Sequence, residues 1–433
     1  MDRSNPQYTY FVEVLKEELK PAMGCTEPIA VAYCGAKARE VLGKMPEKVE
    51  ISVSGNIIKN VKSVIVPNTG GMKGIAAAAA AGIIAGDARR ELEVISVVSG
   101  EQKKQIADFL ENTEIHIVPI EQGDLLDIII SVYSQNDSSV VRIAHTHTNI
   151  VRIEKNGAIL FDKPLIKEEP SENKLKEESL TVEAIYDFAN KVELSDVEEV
   201  IGRQIAYNQA IAEEGIRNNW GANIGKVLLE GHEQDVRQRA KAMAAAGSDA
   251  RMSGCELPVV VNSGSGNQGI TVSVPLIVYA KEKKCSRDQL YRALVLSNLI
   301  AIHQKRGIGC LSAYCGAVSA GTAAGCGIAY LLGGNLKTIT HTLVNAIAIA
   351  SGMVCDGAKP SCAAKIAVAL EAGIMGYEMY CHGQQFRGGD GIVSKGVENT
   401  IYNIGRLGAD GMRETDKEII RIMTEEKGMV SKR

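Results

Sequence analysis

Apolar residues recur at helical spacing over residues 8–20 and the run stops at Pro21, so the chain opens on a predicted helix. A second helix is predicted over residues 29–42, ended by Gly43. The period then changes: residues 49–54 alternate apolar and polar, as a half-buried strand does, and run into a Gly55-Asn56 turn. Pro67-Asn68-Thr69-Gly70-Gly71 is another polar turn. An alanine-rich helix over 75–85, a strand-like run over 92–98, a helix near 103–110 and a strand-like run over 115–118 follow. Residues 127–133 and 140–153 read as strands, and Asn156-Gly157 is a hairpin turn leading to a return strand over 158–161. Residues 168–178 are charged and read as a solvated linker. From about residue 180 the period is helical almost throughout, apart from a short extended piece at 258–261.

This pattern predicts an α+β protein, with a large helical domain and an inserted or adjacent smaller α+β domain. N-terminal helices (1–45) carrying Cys25 pack with the C-terminal domain, an α+β substrate domain spans 46–178, and a helical domain spans 179–433. The length of 433 residues is ample for such a division.

Charge changes the picture by exclusion. The net charge is −4 and the basic residues are scattered, which argues against a nucleic-acid or anionic-membrane partner and for a small-molecule one. Apolar C-terminal runs such as 346–354 are short and interrupted, so they read as buried helices rather than membrane spans. The N-terminus has no basic-then-apolar signal pattern, and a cytoplasmic location is expected. Abundant Gly and Ala with 4% aromatic residues imply closely packed helices, which also suit a homo-oligomer interface.

Ten cysteines are too dilute for a disulfide scaffold. In Gly24-Cys25-Thr26-Glu27-Pro28, Thr26 can cap a helix and Pro28 suits its first turn, which puts Cys25 at a helix N-terminus. There the dipole favours a thiolate, so a pKa falling toward neutrality is expected, against the alternative of a small buried thiol. Asn262-Ser263-Gly264-Ser265-Gly266-Asn267-Gln268-Gly269 is a polar loop that fits a substrate carboxylate and lacks the phosphate-loop pattern. Asn56, Asn68 and Thr69 are similar candidates, and His145 and His147 fall on one face of the predicted 140–153 strand as substrate contacts. Cys310, Cys355 and Cys362 lie in the Gly/Ala-rich C-terminal part without the tight spacing of zinc sites or compact ferredoxins. On spacing alone, a metal site and a set of buried free thiols both remain open.

Along nearly its whole length the chain resembles the L-cysteine desulfidase family, and its C-terminal half is more distantly similar to the alpha region of iron–sulfur L-serine dehydratases. The resemblance rests on Pro21-Ala22-Met23-Gly24-Cys25-Thr26-Glu27-Pro28, Ser54-Gly55-Asn56, Pro67-Asn68-Thr69-Gly70, the 262–269 loop, Gly309-Cys310, Val354-Cys355-Asp356-Gly357-Ala358-Lys359, Ser361-Cys362 and Gly388-Gly389-Asp390-Gly391-Ile392. It implies a β-eliminating lyase that converts L-cysteine to hydrogen sulfide, pyruvate and ammonia. Cys25 would be the catalytic base or acid, and Cys310, Cys355 and Cys362 would hold a [4Fe-4S] cluster with one open iron as Lewis acid. Cys315 competes with Cys310 as first ligand; the Gly309-Cys310 context favours Cys310. The substrate-binding set is then Asn56, Asn68, Thr69, His145, His147, Ser263, Ser265 and Asn267. Two other readings are an iron–sulfur dehydratase of L-serine or another β-substituted amino acid, and a non-catalytic iron–sulfur redox sensor.

Overall fold

The computed structural model describes residues 1–120, 123–164, 179–309 and 311–424. Two hydrophobic cores organise them. In the first, helix α1 (Pro6–Glu18), capped by Asn5, lays Phe11 and Leu15 against a helical body. In the second, α2 (Thr26–Leu42) covers a sheet. The first forty residues are thus shared between the two cores, joined by a short strand, β1 (Pro21–Met23).

The sheet contains β2 (Lys48–Ser54), β3 (Glu114–Ile120), β4 (Asp127–Ser134), β5 (Asp137–Ala144), β6 (Ile150–Lys155) and β7 (Ala158–Asp162), in the order β3-β2-β4-β5-β6-β7. β2 and β3 are parallel and the remaining pairs antiparallel. Alternation decides which face is buried: Val49, Ile51 and Val53 on β2 are fully buried together with Ile128 and Ile130 on β4. Between β2 and β3 the chain makes α3 (Gly55–Val61), α4 (Gly74–Ala85) and α5 (Gly100–Asn112). α4 packs on α2 so closely that a Cβ at Gly82 would lie 1.9 Å from the Ala32 carbonyl oxygen. The alanine run is therefore a packing device in which small residues let two backbones meet.

Several expectations are corrected. The strand-like run at 92–98 begins instead inside a 3-10 turn (Ala88–Glu93) in which Glu91 has φ +46, and it pairs with no strand. The expected 140–153 strand is two strands, and His145, Thr146, His147 and Thr148 lie in the turn between them, with His145 at φ +69. Gly55-Asn56 opens α3 rather than a turn. The hairpin turn at Asn156-Gly157 stands, with both residues in the left-handed region that such a turn requires. The expected 168–178 linker lies outside the described residues.

The helical body runs through α6 (Val182–Lys191), α7 (Glu198–Arg217), α8 (Ile224–Leu229), α9 (Val236–Met252), β8 (Pro258–Val260), α10 (Gly266–Lys283), α11 (Arg287–Ile308), α12 (Gly316–Leu331), α13 (Leu336–Ala350), α14 (Cys362–Cys381), α15 (Val397–Arg406) and α16 (Arg413–Thr424). β8 pairs antiparallel with β1, Met23 opposite Pro258. No helix among the described residues is long and apolar enough to cross a membrane.

Candidate active site

Three local devices bring distant thiols to one cavity. The first is the β1–β8 pair: because it is antiparallel, the end of β1 meets the start of β8, so Cys25 arrives beside Arg251 and Met252 at the end of α9. The second is an isolated bridge between Tyr314 and Val354. Its bonds, Cys315 N–H to the Met353 carbonyl at 3.0 Å and Cys355 N–H to the Ala313 carbonyl at 2.6 Å, set Cys315 and Cys355 side by side. The third is the crossing of α12 and α14. Gly321 meets Ala369 and, one turn on, Gly325 meets Gly373, so the two helices run in the same direction and begin at the same end. Cys315 caps the first and Cys362 opens the second.

Gly357 completes the assembly. Its φ is +91, and a Cβ there would lie 2.3 Å from the Lys59 carbonyl oxygen, so glycine alone lets the Cys355–Cys362 loop sit on α3. The resulting cavity, of about 110 Å³, is lined by Cys25, Cys315, Cys355 and Cys362, by Glu27, and by the cations Lys59, Arg251, Lys305 and Lys365. Ser265, Asn267 and Gln268 enter from the first turn of α10, whose N-cap is Ser265. The starts of α2, α10, α12 and α14 thus all border one space, whose helix ends and cations favour anionic occupants.

The thiols differ in state. The Cys315 thiol donates to Cys355, and that hydrogen bond holds Cys355 well below a free thiol's value; burial opposes it, and Lys59, the Gly357 N–H and Lys305 assist. The same contact, with burial, pushes Cys315 well up. Burial also raises Cys362, whose Sγ lies 3.6 Å from the Gly357 carbonyl oxygen.

For Cys25 the structure corrects the electrostatic expectation. The residue is itself the N-cap of α2, in place of Thr26, and makes no side-chain capping bond. Burial pushes its thiol well above the usual value, the Glu27 charge acts the same way, and the Arg251 charge only partly offsets them. The helix dipole loses to desolvation here. The Cys25 thiol donates to Glu27 Oε2 at 3.1 Å, and Asn60 Nδ2 donates to Oε1 at 3.0 Å. Burial alone would raise the Glu27 carboxyl, but His147, with its Nε2 4.0 Å away, and the Cys25 thiol hold it down at about 2. At 4.0 Å this is an ion-pair separation, and His147 Nε2 makes no hydrogen bond among the described residues.

Of the residues singled out by sequence, the structure brings together Cys25, Ser265, Asn267, Cys355 and Cys362 directly, and His147 through Glu27. Cys310 lies outside the described residues. Asn68 and Thr69 shape the turn between α3 and α4: Asn68 Nδ2 bonds the Ile95 carbonyl at 2.8 Å and Thr69 Oγ1 the Val66 carbonyl at 2.7 Å. Asn56 is buried on α3, its Oδ1 has no hydrogen-bond partner among the described residues, and it does not line the cavity. Ser263 Oγ donates to Asn262 Oδ1, while His145 is exposed and faces Asp124 at 3.7 Å. Lys359 is paired with Asp356 and is absent from the cavity lining.

Sequence reasoning missed Glu27 as the partner of Cys25, and with it Lys59, Asn60, Arg251 and Lys305. A charged residue inside an otherwise buried helical face, as with Arg251 after Ala244, Ala245 and Ala246, was the available signal. Among the described residues no three His, Cys, Asp or Glu side chains close around one metal ion. The thiols instead sit around the wall of a cavity, and a multi-iron cluster, whose irons each take a separate thiolate, fits that donor set better than a single zinc.

The chain is 58% identical to a UPF0597 protein of Desulfitobacterium hafniense (strain Y51), covering 98% of each chain. It is 49% identical to UPF0597 proteins of Lachnoclostridium phytofermentans and Finegoldia magna, covering 96% of this chain and 99% of each relative. The profile of the serine dehydratase alpha chain matches residues 89–421, which extends the resemblance beyond the C-terminal half, back through the sheet strands β3 to β7. That match covers most of the chain and takes in Cys315, Cys355 and Cys362 with Arg251, Lys305 and Lys365, while Cys25 and Lys59 precede it; the chain belongs to the serine dehydratase alpha chain family.

Proposed function

We propose that the protein is a β-eliminating lyase that cleaves L-cysteine to hydrogen sulfide and aminoacrylate, which tautomerises to the imine and takes up water to give pyruvate and ammonia. The observation that carries this reading is the meeting of Cys315, Cys355 and Cys362 with the Cys25–Glu27 pair in one cation-rimmed cavity. The family is iron–sulfur dependent, and Cys355, Cys362 and a third thiol are the proposed holders of a [4Fe-4S] cluster. Cys315, which lines the cavity in contact with Cys355, is the proposed third ligand. Bound there, such a cluster supplies a Lewis acid for the leaving group at the iron that lacks a protein thiolate.

The protein's own groups handle the proton. At rest the proton stays on Cys25 and not on Glu27, so the proposed cycle relies on bound substrate to drive its transfer: Glu27 Oε2, already hydrogen-bonded to the thiol, then receives the Cys25 proton and the thiolate takes the proton from the substrate α-carbon. Asn60, with its hydrogen bond to Oε1, keeps the carboxylate aimed at Cys25. Lys59 and Lys305 favour the thiolate form of Cys355 that ligation needs. Ser265 and Asn267 are proposed substrate contacts on the cavity wall, with His147 acting behind Glu27.

The family match favours one second reading, L-serine or another β-substituted amino acid as substrate, since the same proton chemistry expels a hydroxyl group. Anaerobic turnover of L-cysteine and L-serine by the iron-loaded protein decides between them. Pyruvate and sulfide in equal amounts, with a higher kcat/KM for cysteine, support the desulfidase reading; pyruvate from serine alone replaces it with the dehydratase.

A further inference from the structure

Arg251 is out of place by ordinary electrostatic accounting. It ends α9 at 2% exposure and lines the cavity, yet its guanidinium makes no hydrogen bond or ion pair among the described residues, and its Nε is orphaned. A guanidinium stays charged at any relevant pH, so burial without a partner is costly. Its surroundings sharpen the problem. A Cβ at Gly266 would lie 2.3 Å from Arg251 Nε, so the cation is pressed against the first residue of α10, a positive helix end. Glu27, the acid in the cavity lining, has its oxygens committed to Cys25, Thr26 and Asn60. Two opposite orphans line the same cavity on α10, the acceptor atoms Asn267 Oδ1 and Gln268 Oε1, both buried and without a hydrogen-bond partner among the described residues. Gln268 is 4% exposed and fixed by α12, since a Cβ at Gly316 would lie 2.7 Å from its Cδ.

A cation without an anion and two acceptors without donors among the described residues, all lining one cavity, complement a zwitterion. We infer that Arg251, Asn267 and Gln268 form the subsite for the α-amino-acid moiety, the guanidinium taking the carboxylate and the two amide oxygens taking the α-ammonium. The inference deepens the lyase reading by naming what the enzyme grips, and it makes the side chain beyond Cβ irrelevant to this part of recognition. Cys25, whose thiol feels the Arg251 charge, then stands next to the α-carbon. Forked hydrogen bonding to a carboxylate is what a guanidinium provides and an ammonium does not.

The test uses ligands that cannot react, so it does not depend on turnover. The cluster-loaded full-length protein is titrated calorimetrically under anaerobic conditions with L-alanine, propionate and ethylamine. The wild type should bind L-alanine more tightly than either fragment. Arg251→Met should weaken L-alanine and propionate by about tenfold or more while leaving ethylamine within twofold, the loss expected for a charge-assisted pair. Asn267→Ala should weaken L-alanine and ethylamine and spare propionate. If Arg251→Met does not fold, Arg251→Lys serves, with L-alanine several-fold weaker and ethylamine unchanged. L-alanine affinity within twofold of wild type in the Arg251 variant overturns the subsite, as does a wild type that binds none of the three. Failure of the lyase reading looks different: L-alanine binds through Arg251, but neither cysteine nor serine gives pyruvate.

Discussion

Glu27 is the residue whose neighbours define its task most narrowly. Its carboxylate is buried, ionised and bonded to the Cys25 thiol, so Glu27→Gln keeps the shape of the site while removing the proton acceptor. We expect kcat to fall by about 10²–10⁴-fold with KM little changed, the range for loss of positioned proton transfer; a change below twofold in pyruvate release would contradict the relay. A second residue gives a pH signature away from the chemistry. Asp249 accepts a hydrogen bond from the Gly225 N–H, yet burial raises its carboxyl from 3.8 to about 6. A carboxyl raised in the folded state contributes stability that is fully present below the unfolded value and is lost as pH rises through the folded one. Between about pH 4 and about pH 7 the wild type should therefore lose stability that Asp249→Asn retains. Melting temperatures across that interval check it, and parallel curves for the two proteins would refute the assignment. At this scale the sequence displayed the helix-start position of Cys25 but not its protonation. The thiol's state depends on burial by Val64, Met252 and Ala358 and on the Glu27 charge, and the first of these comes from segments far along the chain.

Among the elements, α12 and α14 do most to position the site. Their glycine and alanine contacts set the register that places Cys315 beside Cys362. Gly325→Ala would put a Cβ 2.4 Å from the Gly373 carbonyl oxygen, so the helices must separate. Overpacking of this kind costs about 1–3 kcal/mol, and the variant should also lose iron in proportion to the displaced helix start. Denaturant unfolding together with iron content measures both, and a variant that matches wild type in each would show that the crossing does not set the thiol register. Elements with a local signal were legible: the alternation of β2, the Asn156-Gly157 hairpin and the helical C-terminal part all follow from neighbours in sequence. The 92–98 run was misread because apolar residues there are buried by packing without strand pairing, Leu92 and Ile95 among them. His145 and His147 fell in a turn because alternation continues across it on both sides, and no Gly or Pro marks the break.

At the scale of the whole molecule, the site is built by contacts that no local pattern announces. Cys25 reaches it through the pairing of β1 with β8, Cys315 and Cys355 through the Tyr314–Val354 bridge, and the loop between Cys355 and Cys362 through its seat on α3. Lys59, on α3, is buried and paired with Asp416 on α16 at 2.5 Å, so the sheet domain's cation is held from the far end of the chain. The Gly309-Cys310 context pointed to Cys310 as first ligand, whereas the bridge at Tyr314 brings Cys315 to the cavity, and Cys310 lies outside the described residues. The measurement that bears most directly on this account is the iron and acid-labile sulfide content, with anaerobic pyruvate release, of the Cys315→Ser, Cys355→Ser, Cys362→Ser and Cys25→Ser proteins after identical reconstitution. The account predicts loss of cluster and turnover in the first three, and a retained cluster without turnover in Cys25→Ser. A Cys315→Ser protein with full cluster and full activity, or a Cys25→Ser protein as active as wild type, would contradict it.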